Sequence, residues 1–262
     1  MASQELSSSQ KMFLQSIAHA GFMDASTVKS RYKACREHFG EDAPVNEIEA
    51  LRDFIKAINT HLRRLDLEVK KGIEEDTGRP CYVFINSVDN TFLMAAGKYT
   101  VKQMHYFSVL LKLIVMSEEG CITVVDALNA VDSLEFKMSK ADASQLIHQA
   151  WHMSDKWLKG VRPFGCPQQE EEEDGNTMLT LGSRSILELE RYMRDTYSDY
   201  VKDCNICNRL CIRGLLCEGC DCKTHVYCLR SYLRKKKDPL PVCPNKSCSR
   251  SRPELSYYQT AT

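Results

Sequence analysis

Apolar residues recur at helical spacing three times within the first 65 residues of the chain. This spacing predicts three helices, over residues 11–23, 25–39 and 46–65. Gly21 and Gly40 follow the first two apolar stretches and are expected to end those helices. Two extended runs, residues 67–69 and 81–85, then predict a β-hairpin around an acidic turn. Three helices followed by a hairpin is the order of a winged-helix module, a variant of the helix-turn-helix.

The same order of elements recurs further along the chain. The pattern predicts an apolar helix, a short strand and two more helices, over residues 100–116, 120–122, 123–129 and 139–156. Trp157-Leu158 and residues 178–181 are predicted to form a second hairpin. Its loop carries the acidic run 170–174, which is more typical of a solvated wing than of a docking surface. Ser183 or Ser185 is expected to cap a final helix, residues 186–197.

Composition and charge narrow the class of protein. Lysine plus arginine (35) balance aspartate plus glutamate (35), so net charge points to no partner. The N-terminal ten residues are polar and carry no secretory signal, and no apolar run is long enough to cross a membrane. Trp151 and Trp157 are expected to pack in the core, as large aromatic side chains usually do.

The positions of the cysteines indicate a metal-binding region near the end of the sequence. Nine of the 13 cysteines lie between Cys204 and Cys248, and an intracellular cluster of this kind indicates metal binding rather than disulfides. Three close pairs of donors and a fourth, wider pair, Cys243/Cys248, predict two closed, structural zinc sites, because zinc takes four such ligands. The predicted ligands are Cys204, Cys207, Cys217, Cys220, His225, Cys228, Cys243 and Cys248.

Two alternatives within the cluster stay open at this point. Cys211 and Cys222 are surplus cysteines, and Cys222 can replace Cys220 as a ligand. A redox-active or disulfide-rich segment is the competing interpretation of the whole cluster, although the His-x2-Cys pair argues against it. With every coordination position filled, no metal-catalysed reaction is expected.

The spacing resembles the RING/PHD class of cross-braced zinc fingers. In that class the first and third pairs share one ion, which implies Cys204, Cys207, His225 and Cys228. The second and fourth pairs share the other ion, which implies Cys217, Cys220, Cys243 and Cys248.

Within this class, the sequence is closer to RING domains than to PHD fingers. Ile206 and Pro244 match positions at which RING domains contact a ubiquitin-conjugating enzyme. Simple packing around the zinc loops is the alternative interpretation of both residues. Arg250 lies one residue away from the usual place of an arginine that bridges enzyme and ubiquitin. A basic patch, Arg230 and residues 234–237, fits DNA or an acidic protein face as well as it fits plain solubility.

The whole chain resembles the first non-SMC element family of a chromosome-maintaining SMC complex. The segments ILELERYMRDTY, KDCNICNRLC and THVYCLRSYL carry this resemblance together with the eight donors. It implies an α+β protein of two tandem winged-helix-like domains, 1–96 and 97–198, a cross-braced RING-like finger, 199–252, and a flexible tail, 253–262. It also implies a nuclear, chromosome-associated subunit that pairs with a MAGE-family protein and contacts a kleisin.

The resemblance further implies partner-dependent RING-type ubiquitin ligase activity and a part in DNA repair by homologous recombination. A non-enzymatic assembly module, whose finger and winged helices dock subunits or DNA, is the alternative. A histone or DNA reader is a third hypothesis. The second and third predicted helices, residues 25–39 and 46–65, carry the charges of ordinary solvated helices, which favours protein–protein use of the winged helices over direct base readout.

Overall fold

The computed structural model describes residues 5–87, 99–162, 178–236 and 242–248. Its first unit contains three helices, α1 (Ser8–Ala20), α2 (Ala25–His38) and α3 (Glu47–Leu62), and three strands, β1 (Phe22–Asp24), β2 (Leu67–Ile73) and β3 (Pro80–Asn86). The strands form an antiparallel sheet in the order β1-β3-β2. The three predicted helices and the hairpin are confirmed, and β1 is an additional short strand.

Local sequence signals set the ends of these helices. Ser7 and Gln10 form a reciprocal capping box at the start of α1, and Gly21 ends it with a φ of +67°. Asp24 accepts hydrogen bonds from Thr27 and so starts α2 immediately after β1. The apolar faces of the three helices pack on the sheet around a core that includes Phe13, Ile17, Val28, Tyr32, Ile55 and Ile58.

The second unit repeats the topology of the first. It contains α4 (Val101–Met116), β4 (Ile122–Thr123), α5 (Val124–Asn129), α6 (Lys140–Gln145), β5 (Leu158–Val161) and β6 (Met178–Leu181). Its strand order, β4-β6-β5, corresponds to β1-β3-β2 of the first unit. Two tandem winged-helix-like units are therefore present, as the sequence predicts. The acidic run 170–174 lies outside the described residues.

The helix predicted over residues 139–156 is only partly α-helical. After α6 the backbone continues as a π-helical segment, Leu146–Ser154, which has wider turns. Trp151 lies in this segment and Trp157 follows it, and both pack in the same core. Their ring centroids lie 5.2 and 4.7 Å from that of Phe107. Both side chains are buried, so the core placement predicted for them is confirmed.

The predicted serine cap of the last winged-helix element is wrong. Helix α7 spans Ser183–Thr196, and its N-cap is Gly182, which has no side chain to accept a hydrogen bond. A Cβ atom at Gly182 would lie 2.0 Å from the carbonyl oxygen of Lys156, so the backbones leave no space for a side chain there. The Ser185 hydroxyl instead donates to the carbonyl oxygen of Trp157, at 2.7 Å.

Helix α7 joins the two winged-helix units. The Lys70 ammonium group donates to the Leu187 carbonyl at 3.0 Å, and the Leu187 side chain packs directly over Gly72 in β2. Glu188 is partly buried beside Arg184, and burial raises the pKa of its carboxyl group. The units are thus packed against each other, and the predicted domain boundaries stay predictions.

The last part of the chain is a small finger, defined here as residues 202–248. It contains strands β7 (Lys202–Asp203), β8 (Leu210–Cys211), β9 (Leu215–Leu216) and β10 (Lys223–Thr224), followed by helix α8 (Val226–Lys236). Leu210 and Ile212 of the finger belong to the same buried cluster as the core of the second unit. Within the described parts of the chain, no helix is long and apolar enough to span a membrane.

Gly120 provides a test of how tightly the finger packs on the second unit. A Cβ atom there would lie 2.0 Å from the Ile212 carbonyl oxygen, and the φ of Gly120 is +70°. Gly120→Ala should therefore lower the free energy of unfolding by about 1–2 kcal/mol for the left-handed backbone and a further ~1–3 kcal/mol for the clash.

Gly40→Ala is the matched control for that substitution. Its φ is +66° but nothing lies within 4 Å of the added Cβ, so only the backbone cost of about 1–2 kcal/mol applies. The measurement is denaturant unfolding of both variants. Equal losses of stability would contradict the close packing of the finger.

Candidate metal centres

The first donor pair lies in a tight turn that follows strand β7. The Asn208 amide donates to the Cys204 carbonyl at 2.8 Å, and Asn208 adopts a left-handed φ of 53°. This turn directs Cys204 and Cys207 to the same side. Ile206 lies between them and keeps 37% of its surface exposed.

The second pair repeats this turn between β9 and β10. The Asp221 amide donates to the Cys217 carbonyl, and Asp221 has a φ of 56°. The Cys217 amide in turn donates to the Cys222 carbonyl at 2.9 Å and closes the loop. Two similar turns therefore present the Cys204/Cys207 pair and the Cys217/Cys220 pair.

The remaining two pairs come from a helix start and from a short loop. His225 precedes α8, and the Leu229 amide donates to its carbonyl at 3.0 Å, so His225 and Cys228 lie one helical turn apart. Between Cys243 and Cys248, the Asn245 carbonyl accepts from the Cys248 amide at 2.9 Å. This bond folds the four intervening residues into a turn and brings the widely spaced pair together.

The four pairs assemble into two clusters in an alternating arrangement. The donor atoms of Cys204, Cys207, His225 and Cys228 all lie within 4.8 Å of one another. The donor atoms of the second group also lie within 4.8 Å of one another; they belong to Cys217, Cys220, Cys243 and Cys248. Each cluster can hold a metal ion.

The distances within the clusters fit a tetrahedral zinc ion. Thiolates at about 2.3 Å from zinc lie about 3.8 Å apart, and a thiolate and an imidazole nitrogen about 3.5 Å apart. The Cys217–Cys248 and Cys220–Cys243 sulfur pairs are 3.9 and 3.7 Å apart. The His225 Nδ1 atom lies 3.4 Å from Cys207 Sγ. The donor types and their spacing both suit zinc.

The two surplus cysteines lie next to the clusters but outside the groups of four. Cys222 Sγ approaches Cys243 Sγ at 3.5 Å, yet the group of four contains Cys220. The backbone amide of Cys222 and the side chain of Asn245 lower the pKa of the Cys220 thiol, whereas burial raises that of Cys222. Burial also raises the pKa of Cys211, whose thiol donates to the Arg213 carbonyl.

The first cluster has a neighbour that the sequence reasoning missed. Glu75, in the turn between β2 and β3 of the first unit, lies 3.1 Å from the Nε2 atom of His225. Its carboxylate also accepts hydrogen bonds from the backbone amides of Ile212 and Arg213. The only sequence signal was the acidic turn of the predicted hairpin, which does not indicate where the turn docks.

Further polar contacts attach the finger to both winged-helix units. Asp76 pairs with Arg213 at 2.6 Å and with Lys159 of β5 at 3.0 Å. Burial opposes ionisation of Asp76, but these two cations prevail and hold the pKa of its carboxyl group below its usual range. Lys223 is buried, and its ammonium group donates to the carbonyls of Ile212 and Glu118. The finger is thereby bonded to each unit.

The residues predicted to contact a conjugating enzyme have different positions. Ile206 is exposed in the first metal loop and Pro244 is half-buried in the last. Arg250 lies outside the described residues, as does Lys237 of the basic patch. Arg234 and Lys235 are exposed near the end of α8.

Fold and clusters together define a protein of two winged-helix-like units followed by a RING-like metal finger. A family model described as "Nse1 non-SMC component of SMC5-6 complex" matches residues 10–189, and one described as "RING-like domain" matches residues 204–249. The chain belongs to this Nse1 family. The resemblance inferred from the sequence is confirmed.

Known relatives agree with this assignment. The non-structural maintenance of chromosomes element 1 homolog of Xenopus laevis is 32% identical over 253 residues, which cover 95% of this chain and 84% of the relative. The Homo sapiens homolog is 34% identical over 236 residues, covering 90% and 81%. A chain in a solved Nse1-Nse3-Nse4 complex superposes with a TM-score of 0.79 at 31% identity, covering 95% of this chain and 98% of that one.

Proposed function

We propose that the two clusters bind two structural zinc ions in a cross-braced arrangement. One ion is held by Cys204, Cys207, His225 and Cys228, and the other by Cys217, Cys220, Cys243 and Cys248. Support comes from the donor distances, which match a tetrahedral ion in both clusters. Since eight donors fill both coordination spheres, the ions stabilise the fold and leave no position for a reacting water.

Metal binding also supplies stability that the finger lacks. Apart from cysteines, its own buried apolar cluster contains only Leu229 and Leu233 among the described residues. A segment with so small a core needs a metal or a disulfide to fold. Structural zinc contributes on the order of 10 kcal/mol per site.

Metal analysis of the purified full chain tests the ligand assignment. We expect about two zinc equivalents in the unaltered chain and in Cys222→Ser, but about one in Cys220→Ser, because serine is a poor zinc ligand. Cys222→Ser is the matched control, since both cysteines lie near Cys243. Loss of an equivalent from Cys222→Ser, with none from Cys220→Ser, would reverse the assignment.

We further propose that the finger acts as a RING-type ubiquitin-protein ligase module. The observation that carries this proposal is the exposed Ile206 side chain in the first metal loop of a RING-like domain. Pro244 in the last metal loop, and Arg250 beyond it, are the other proposed contacts with the conjugating enzyme. Such a module positions the charged enzyme for transfer and supplies no nucleophile of its own.

The proposed partners follow from the family and from the solved complex. The superposed chain comes from an Nse1-Nse3-Nse4 complex, and we propose that this chain likewise pairs with a MAGE-family Nse3 and contacts a kleisin Nse4. We place the protein in the nucleus, on chromosomes, in DNA repair by homologous recombination. Arg234 and Lys235 are exposed cations, and we propose that they can contact the DNA phosphates directly.

A non-enzymatic assembly role is the second candidate. It is favoured by the number of contacts that bind the finger to both winged-helix units, including Glu75 with Ile212 and Asp76 with Arg213. In this role the finger rigidifies the surface that receives other subunits. Ile206 would then have no part in function.

Ile206→Ala separates the two candidates. If the finger docks a conjugating enzyme, ubiquitin discharge by the complex with the MAGE partner should slow at least about tenfold, because such interface anchors contribute about 2 kcal/mol. Zinc content and co-elution with the partner should stay unchanged, since Ile206 is exposed.

Ile48→Ala is the matched control, an identical truncation at an exposed isoleucine in the first unit. Its discharge rate should equal that of the unaltered chain. Unchanged discharge by Ile206→Ala across several conjugating enzymes, or no discharge at all by the unaltered complex, would favour the assembly role.

A further inference from the structure

The turn between β2 and β3, the wing of the first unit, brings one carboxylate, that of Glu75, up to the first metal cluster of the finger. Glu75 lies against the segment that follows strand β8, where its two oxygens accept from the amides of Ile212 (2.8 Å) and Arg213 (3.1 Å). The Glu75 side chain is only 8% exposed and that of His225 only 2%. A carboxylate buried to this extent, and held by backbone amides, has a fixed position.

The same carboxylate contacts the His225 ring at Nε2, the nitrogen that points away from the cysteines of the first cluster. His225 Nε2 lies 3.1 Å from Glu75 Oε1 and 3.1 Å from the carbonyl oxygen of Leu210. Since both neighbours are acceptors, Nε2 carries the hydrogen and donates to them. The Nδ1 lone pair then faces the sulfur atoms of Cys207 and Cys228, at 3.4 and 4.0 Å.

We infer that Glu75 is a positioning residue for the first metal cluster, supplied by a different structural unit from the ligands themselves. This inference rests on the proposed zinc binding. A carboxylate behind a ligating histidine fixes the ring and makes its metal-binding nitrogen more basic. Leu210 can orient the ring by itself, so the particular contribution of Glu75 is its negative charge.

The wing is held on the finger by other contacts as well. Asp76 pairs with Arg213, and the backbone of Gly78 packs on the ring of Tyr227. Removing the charge of Glu75 therefore leaves the turn attached. Glu75→Gln keeps the length of the side chain and removes the charge behind His225, and its oxygen can still face Ile212 and His225 while the Arg213 amide loses its acceptor.

The test is the rate of zinc transfer from the full chain to a colorimetric chelator in excess. With Glu75→Gln, one of the two zinc equivalents should leave at least about tenfold faster, in line with other carboxylates behind metal-bound histidines. The second equivalent should leave at the unaltered rate. Thiol alkylation during release should mark Cys204, Cys207 and Cys228 first.

Glu74→Gln is the matched control, because Glu74 lies in the same turn and pairs with Lys159 and Thr77 instead of the finger. Its release rates should equal those of the unaltered chain. If Glu75→Gln fails to fold, the fallback variant is Glu75→Asp, which keeps the charge but places it farther from His225. In Glu75→Asp, the zinc ion that leaves faster should again be the one from the first cluster.

Two results would overturn the inference. One is release from Glu75→Gln at the unaltered rates, and the other is equal acceleration of both equivalents. If the unaltered chain itself carries far fewer than two equivalents, the zinc proposal fails first. The two failures are therefore distinguishable.

Discussion

The described residues of the finger bury only a small apolar core of their own, and this constraint determines how the finger is held by the rest of the chain. Its own apolar cluster rests on Leu229 and Leu233, whereas Leu210 and Ile212 extend the core of the second winged-helix unit. Two clusters of four donors can each hold a metal ion inside the finger. Contacts with both units fix it from outside, so under the proposed zinc binding we expect metal binding, docking and folding to depend on one another.

This arrangement has a consequence for function. The wing of the first unit, the loop after α4 and strand β5 all meet near Arg213 and Lys223 of the finger. A surface that presents a conjugating enzyme, or that receives other subunits, is then held at a defined orientation relative to the winged helices. Ile206 stays exposed despite these contacts, which is why it is the residue on which the ligase proposal depends.

Local patterns predicted most elements of the fold, and long-range contacts account for what they missed. Apolar periodicity located the winged-helix elements in order, and donor spacing located the eight candidate ligands. The cap of α7 was predicted wrongly because the close approach of Gly182 to Lys156 leaves no trace in a one-dimensional pattern. Glu75 was missed for the same reason, since it lies 150 residues before the histidine that it contacts.

Amide hydrogen exchange of the full chain, with and without a zinc chelator, tests this interdependence most directly. Removing the metal should expose the amides of Ile212 and Arg213 and those of the turn at residues 74–79, because the carboxylate of Glu75 connects them. The amides of α1 and α3 should stay protected. Unchanged protection of the finger and the turn after chelation would contradict the claim that metal, finger and wing hold one another in place.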